Sequence, residues 1–383
     1  MSDYDFIFAG AGAAGLSLAR SLLKSEALRG KKILLVEPDN KRQNDRTWCF
    51  WHPHAYGMEN IAIRQWNQLR FVSSRMERVF QLAPYRYWMV RGIDYYDWMR
   101  KELISTQVTR ITGRVEQVQD GSDSAVVWVD GIAYRANWVF DSRPPVFDMD
   151  NEKYHYLKQH FLGYLIETEE DVFDPQIPTL FDFRTPQNGL MRFFYVLPLS
   201  KREALVEYTL FSAELLEVGA YRKALSDYLR DVLHLQIYRV LEEEMGVIPM
   251  TDHPLPRQVG RHVLAIGTRG GRVKPSSGYA FKRIQEDSLS IVTSLEQFGH
   301  PFVNFQSPGR YRLFDSIMLQ VMLRNGGRMA AIFTKLFQYN SIQRIFAFLD
   351  ERNTILQDLR LIASLPWLPF LRALWRIRVL KQI

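Results

Sequence analysis

The stretch DFIFAGAGAAGLSLARSLL, residues 5–23, decides the fold. It opens with an apolar strand, Phe6 to Ala9. It continues as Gly10-x-Gly12-x-x-Gly15 and then as a helical pattern through Leu23. A second strand, KKILLVEPD, follows and ends its apolar run at Glu37. A bare glycine triplet would say little. Here strand, glycines, helix, second strand and terminal acid come in order and at the spacing of a dinucleotide-binding βαβ unit. Gly10 serves the tight turn, and Gly12 lets amides next to Ala13 approach a pyrophosphate at the helix N-terminus. Gly15 lets helix and strand pack closely, and Glu37 accepts hydrogen bonds from a ribose.

A second glycine set lies far downstream in RHVLAIGTRGGRVKPSSGYAFKRIQEDSLSIV, residues 261–292. An apolar strand, Val263 to Ile266, runs into Gly267. Gly270 and Gly271 loosen the backbone. Pro275, Ser276, Ser277 and Gly278 are read as the start of a helix whose free amides face a ligand. No second Gly-x-Gly-x-x-Gly is present for a nicotinamide cofactor. Between the two sets, residues 145–250 are richer in short β-type runs: HFLGYLIETEE, TLFDFRT, RFFYVLPLS and EALVEYTLFS. The expected organisation is therefore α/β. Residues 1–144 and 251–300 form a Rossmann-like nucleotide domain, 145–250 an inserted antiparallel sheet, and 301–383 a helical C-terminal region.

Composition sets the bounds. The chain has 383 residues, 47% of them apolar, and a net charge of +7. One cysteine excludes an intramolecular disulfide and a thiolate zinc cluster. The acidic start, running straight into a strand, gives no reading of a signal or transit segment. The basic residues are scattered and no nucleic-acid motif occurs, so nucleic acid is not an expected partner. No run reaches the roughly 18 apolar residues of a membrane span.

Three stretches carry candidate chemistry. In EALVEYTLFS the period of two puts Leu205, Glu207, Thr209 and Phe211 on one strand face. Glu207 is an acid on a mostly apolar face, and burial would keep it protonated near neutral pH. RTWCFWHPH, residues 46–54, packs two tryptophans, a phenylalanine, two histidines and the only cysteine into nine positions. It fits neither a helix nor a tidy strand. Trp48, Phe50 and Trp51 are read as the wall of an apolar pocket or as core packing, with Arg46 able to meet a cofactor. LRLIASLPWLPFLRALWRIRVLKQI, residues 359–383, mixes large apolar residues with Arg360, Arg372, Arg376, Arg378 and Lys381 and contains no acid. That pattern suits the membrane interface or a terminal helix packed on its own core.

Taken together, these stretches resemble the flavin-dependent lycopene β-cyclases of bacteria. The resemblance rests on GAGAAG, NDRTWCFW, VFDSRP (139–144), HFLGYLIETEEDVFDP (160–175), FYVLPLSKREALVEYTLFS (194–212), EEEMGVIPM (242–250) and IGTRGGRVKPSSGYAFKRI (266–284). It implies a fold similar to aromatic-hydroxylase and geranylgeranyl-reductase flavoproteins. It implies lycopene and related carotenoids as substrates, β-ionone rings as products, and reduced FAD that is not consumed, with NAD(P)H as its reductant. It implies an isomerase lying peripherally on the cytoplasmic side of the membrane. A Phe-Leu-Glu-Glu-Thr segment with catalytic acids in plant-like members falls on Leu205, Val206, Glu207, Tyr208 and Thr209. The first glutamate is kept and Tyr208 replaces the second. Glu169 is a further candidate acid, Asp141 a cofactor contact, and Phe194 part of the substrate wall. Thr268 follows Gly267 where many flavoproteins have aspartate. A flavin monooxygenase or prenyl reductase on the same scaffold, a non-catalytic carrier, and a cyclase forming ε or γ rings are the rival expectations.

Overall fold

The computed structural model describes residues 3–145, 147, 151, 153–303 and 308–381, with side chains through Arg378. The fold is mixed α/β. β1 (Tyr4–Ala9) lies between two parallel neighbours, β2 (Ile33–Glu37) and β11 (Ile132–Asp141). β8 (Val108–Thr112) extends the sheet beyond β2. β11 is long enough to serve two partners. Its first half forms a hairpin with β10 (Ala125–Val129) through Asp130 and Gly131, both at positive φ, and β9 (Val115–Asp120) follows. Such a pair suits the turn that matches strand twist. The second half of β11 pairs in parallel with β17 (Val263–Ala265), so the two glycine sets meet in one sheet. β1 is buried on both faces, as a central parallel strand must be. Phe6 and Phe8 pack with α1 (Ala13–Lys24) and α4 (Phe281–Phe298), and Ile7 packs with Leu34 and Val139.

The second sheet has the order β16 (Arg239–Thr251), β12 (Tyr156–Glu167), β15 (Glu203–Ser212), β14 (Met191–Pro198), β13 (Thr179–Asp182), β5 (Gln68–Ser73), β6 (Met76–Gln81). Five of these strands come from the β-rich stretch expected at 145–250. β5 and β6 do not: they are a hairpin from the first nucleotide-domain segment, joined through the parallel pairing of β5 with β13. α3 (Val218–Asp231) covers one face of this sheet. The other face meets α5 (Gly309–Asn325), α6 (Met329–Tyr339), α7 (Ile342–Leu349) and a small third sheet, β3 (Thr47–His52), β7 (Arg86–Arg91), β4 (Arg64–Trp66). α2 (Gly92–Glu102) packs on the nucleotide domain, and α8 (Ile355–Ala363) and α9 (Trp367–Lys381) close the chain.

Two local expectations are corrected. RTWCFWHPH contains a regular strand, β3. Its alternation is invisible in sequence because both faces are buried, Trp48 and Phe50 in one core, Cys49 and Trp51 in another. The helix expected from 276–278 begins at Phe281. Gly278 has φ +73°, which a helix cannot use. Residues 274–279 instead close a loop, with the Gly278 amide donating to the Lys274 carbonyl (2.9 Å) and the Lys274 amide to the Tyr279 carbonyl (3.0 Å).

Candidate active site

The nucleotide cradle is built from backbone. Gly10 sits at φ +109°, and a Cβ there would lie 2.4 Å from Ser142 Oγ. A Cβ on Gly15 would lie 2.3 Å from the Gly10 carbonyl oxygen. Gly12 faces open space, with nothing within 4 Å of its missing Cβ. α1 starts at Ala13 with no side-chain cap, so its leading amides are free. Glu37 Oε2 accepts from the Ala11 amide at 2.8 Å, beside the glycine turn. Asp141 ends β11 next to Ala9, buried and ion-paired with Arg143 (2.9 Å) and Arg269 (3.0 Å). Gly267, at φ +60°, brings the end of β17 onto α1, since a Cβ would lie 2.7 Å from Ala14 Cβ. Gly270 packs on the Ala265 carbonyl, and Gly271 turns the chain at φ +69°. Arg46 is half-exposed and ion-paired with Asp45 at 3.0 Å.

Around this cradle some buried polar atoms have no protein partner: Ser277 Oγ and Gln159 Oε1. The missing Cβ of Gly278 would lie 2.1 Å from Gln159 Oε1, so the loop before α4 lies directly on β12. α4 itself has no side-chain cap and no acid in its first turn. Two uncapped helix starts, an open glycine and two orphaned polar atoms fit a phosphate-bearing dinucleotide with a polar ring edge.

The candidate acid stands on the sheet beside this loop. Strand register places Tyr195, Glu207, Gly163 and Glu244 in one row across β14, β15, β12 and β16. All four therefore share a face. Thr209 Oγ1 donates to Glu207 Oε1. Burial first, and then the charge of Glu244, push the Glu207 carboxyl well above the ordinary carboxylate range. The Thr209 bond only partly offsets this. Glu244 is buried, accepts from Thr47 Oγ1 at 2.8 Å through Oε2, and leaves Oε1 without a partner. Burial raises its carboxyl too, against the Thr47 bond. A small cleft opens at Glu244, walled by Thr47, Met89, Leu165, Leu199 and Leu205 on its apolar side and by Asn44, Arg91 and Glu242 on its polar side.

The aromatic stretch divides between two tasks. Thr47, Cys49 and Trp51 face the row of acids, whereas Trp48 and Phe50 face the nucleotide domain. Both of the latter pack on Phe281, the first residue of α4, at 4.9 and 5.2 Å. Trp51 stacks on Phe346 and meets Tyr279 edge-on, each at 4.5 Å. Burial, with Tyr279 and Glu207 nearby, holds the Tyr195 hydroxyl protonated. Burial and the two glutamates do the same for the Cys49 thiol.

Other expected site residues stand elsewhere. Tyr208 is on the opposite face, under α3, where Arg192 donates to its hydroxyl at 3.1 Å. Phe194 stacks on it at 4.9 Å in the same core. Strand alternation forces both away from Glu207. Glu169 lies beyond the end of β12 and is exposed. Glu244, Gly163, Tyr195, Thr47 and Tyr279 were not anticipated. The only signals were a glycine inside the apolar strand HFLGYLIE and an acid run, EEE, at the head of another strand. Their meeting depends on register, which the sequence does not display.

Residues 5–375 match the family described as Lycopene cyclase protein. The chain belongs to the lycopene cyclase family. Among family relatives, it is 23% identical to lycopene beta-cyclase of Pantoea ananas, over 98% of both chains. It is 27% identical to chloroplastic neoxanthin synthase of Solanum tuberosum, over 74% of this chain and 58% of that one. The chain thus spans under two thirds of the length of that plant relative. Its fold is similar to a geranylgeranyl bacteriochlorophyll reductase-like protein of Thermoplasma acidophilum, with a TM-score of 0.59 and 12% identity, covering 98% and 99% of the two chains.

Proposed function

We propose that this member of the lycopene cyclase family is a lycopene β-cyclase, a redox-neutral isomerase that turns the open ψ ends of lycopene into β-ionone rings and takes related carotenoids as well. The observation that carries the reading is Glu207: a carboxyl kept protonated by burial, on an apolar and aromatic face that the cofactor loop also touches through Gly278 and Tyr279. An alkene is a very weak base, so its protonation needs an undissociated acid in a dry site.

Glu207 gives its proton to C2 of a ψ end, leaving positive charge at C1. The C5–C6 double bond attacks C1, and the charge moves to C5. Loss of the C6 proton completes the β ring. Trp51, Tyr195 and Tyr279 exclude water and offer ring faces to the cation, each worth about 0.5–2 kcal/mol. FAD is the cofactor the cradle fits. Gly10, Gly12, Ala13 and Gly15 would hold its pyrophosphate, Glu37 its ribose, and Gly267, Gly270, Gly271, Ser277 and Gly278 its ring edge. In its reduced form it would supply negative charge beside the cation without being consumed, after reduction by NAD(P)H. Asp141 and Arg46 would act from the cradle's rim.

The substrate is a hydrocarbon of the bilayer, and the chain's C-terminal helices suit a peripheral position on the cytoplasmic side of the membrane. No helix among the described residues is long and apolar enough to cross a membrane. Trp367, Leu371 and Trp375 on α9, and Ile355, Leu356 and Leu359 on α8, are exposed, with Arg360, Arg372, Arg376 and Arg378 exposed beside them. The Lys381 side chain and residues 382–383 of this basic stretch lie outside the described residues. Each basic residue at an anionic surface contributes about 1 kcal/mol. Replacing Arg372 and Arg376 by Gln should weaken sedimentation with anionic liposomes by roughly 30-fold; unchanged binding would remove the membrane claim.

The test of the activity is anaerobic incubation with lycopene in liposomes, with reduced FAD, in deuterated water. The expected product is an isomer carrying one deuterium per ring formed. A product of altered oxidation state, or one costing an equivalent of NAD(P)H per ring, would point to the monooxygenase or reductase reading instead.

A further inference from the structure

The reaction proposed above needs a second proton-handling group, one that accepts a proton from C6. The expected second acid, next in sequence to Glu207, is Tyr208, and it lies under α3 on the wrong face. The same face of the sheet nevertheless carries another carboxyl. Gly163 pairs with Glu207 on one side and with Glu244 on the other. Neighbouring strands are about 4.8 Å apart, so the two glutamates stand roughly 10 Å apart at the backbone. The residue between them has no side chain. A Cβ on Gly163 would lie 3.3 Å from Leu205 Cδ1 and 3.4 Å from Glu207 Cβ and Cγ, so the glycine makes room for the Glu207 side chain on this face.

We propose that Glu244 is the catalytic base that removes the C6 proton, and that Glu207 and Glu244 form an acid–base pair across Gly163. The inference rests on the cyclase reading. Four observations support it. Glu244 Oε1 is buried and unpartnered, while Oε2 is held by Thr47, so one oxygen is oriented and the other free to accept. The carboxyl opens on a cleft whose walls include Leu165, Leu199 and Leu205. The adjacent acid, Glu242, is engaged by Arg91 at 3.0 Å and is less buried. The ionised form of Glu244 also keeps Glu207 protonated by like-charge repulsion, which sets the two groups in complementary states.

The step balances. The C2–H bond forms with the proton of Glu207, and the C5=C6 pair makes the C1–C6 bond. The C6–H bond then breaks, its electrons become the new C5=C6 bond, and the proton goes to the Glu244 carboxylate. Loss of that proton from Glu244 to solvent and reprotonation of Glu207 from solvent reset the pair between turnovers, with no oxidant or reductant used.

The experiment compares wild type, Glu244→Gln and Glu244→Asp with lycopene liposomes and reduced FAD in deuterated water, scoring ring type and deuterium in recovered lycopene. Wild type forming labelled β rings verifies the underlying reading; no rings from wild type would defeat that reading rather than this one. Glu244→Gln should lower β-ring formation by about 100-fold. It should also leave the protonation step alive, seen as ε or γ rings or as deuterium in recovered lycopene. Glu244→Asp should restore part of the β-ring rate. A merely structural role would not redirect ring type or label unreacted substrate. β rings formed by Glu244→Gln at near wild-type rate would overturn the proposal, because the C6 proton would then be going to another acceptor, such as the Glu207 carboxylate. So would loss of every ring with no label in recovered lycopene from a folded variant.

Discussion

The two faces of the second sheet are made from the same strands and could hardly differ more. Under α3, Leu162, Val206 and Leu210 pack with Phe194, Tyr208 and Tyr228. Most polar groups there are tied up, though Arg192 Nε is buried without a partner. His160 is bound between Ser212 and Tyr221, and burial lowers its imidazole to about 4, so it stays neutral. On the opposite face, Glu244 Oε1, Gln159 Oε1 and Trp51 Nε1 are buried without partners. Unmade hydrogen bonds of this kind cost about 1–3 kcal/mol each. One face is almost fully paired and holds the sheet together; the other keeps more unpaired polar atoms, around the proposed acid–base pair.

That contrast can be tested from its largest consequence down. Glu207→Gln keeps the side chain's shape and removes the acid. Turnover should fall by about 100- to 10,000-fold with thermal unfolding little changed; retained turnover would mean the acid is elsewhere. Gly163→Val adds bulk between the two glutamates at a position whose backbone does not need glycine. Folding should survive while turnover drops by about 100-fold through displaced carboxyls. Equal loss of both would show that the glycine serves packing. Phe194→Ala does the reverse. It opens a cavity against Tyr228, whose ring lies 3.7 Å away, and should cost about 3–5 kcal/mol in denaturant unfolding. Rate per folded molecule should stay near wild type.

The smallest effect is in the pH dependence of stability. Both site carboxyls have folded-state values above the ordinary range. Each therefore favours folding most at low pH and loses that contribution as pH rises from the ordinary carboxylate range through the raised value. Around Glu207 the facing groups are Glu244, Thr209, Tyr195 and Cys49; around Glu244 they are Thr47, Glu242, Arg91 and Asp45. Glu244→Gln should raise the melting temperature over wild type at alkaline pH and scarcely change it at pH 4. A difference independent of pH would argue that the carboxyl is not desolvated.

What the sequence showed in advance follows from range. The nucleotide fold was legible because its signals, a turn, a helix start and a terminal acid, sit within some thirty residues. Glu207 was legible because a strand's period of two is local. Its partner was not, because Glu244 joins it only through two strand registers. The start of α4 was misplaced because Ser-Ser-Gly looks like a helix entry until Gly278 is seen at positive φ. The halves of β3 were merged into one wall because alternation between two apolar cores leaves no polar mark.

β3 also constrains how the chain can change. One side of it is seated on the first residue of α4 through Trp48 and Phe50, and the other holds Glu244 through Thr47. Inserting or deleting a single residue there would swap inside for outside along its whole length. α4 and Glu244 would lose their common gauge together, so the number of residues in this strand matters more than the identity of any one side chain.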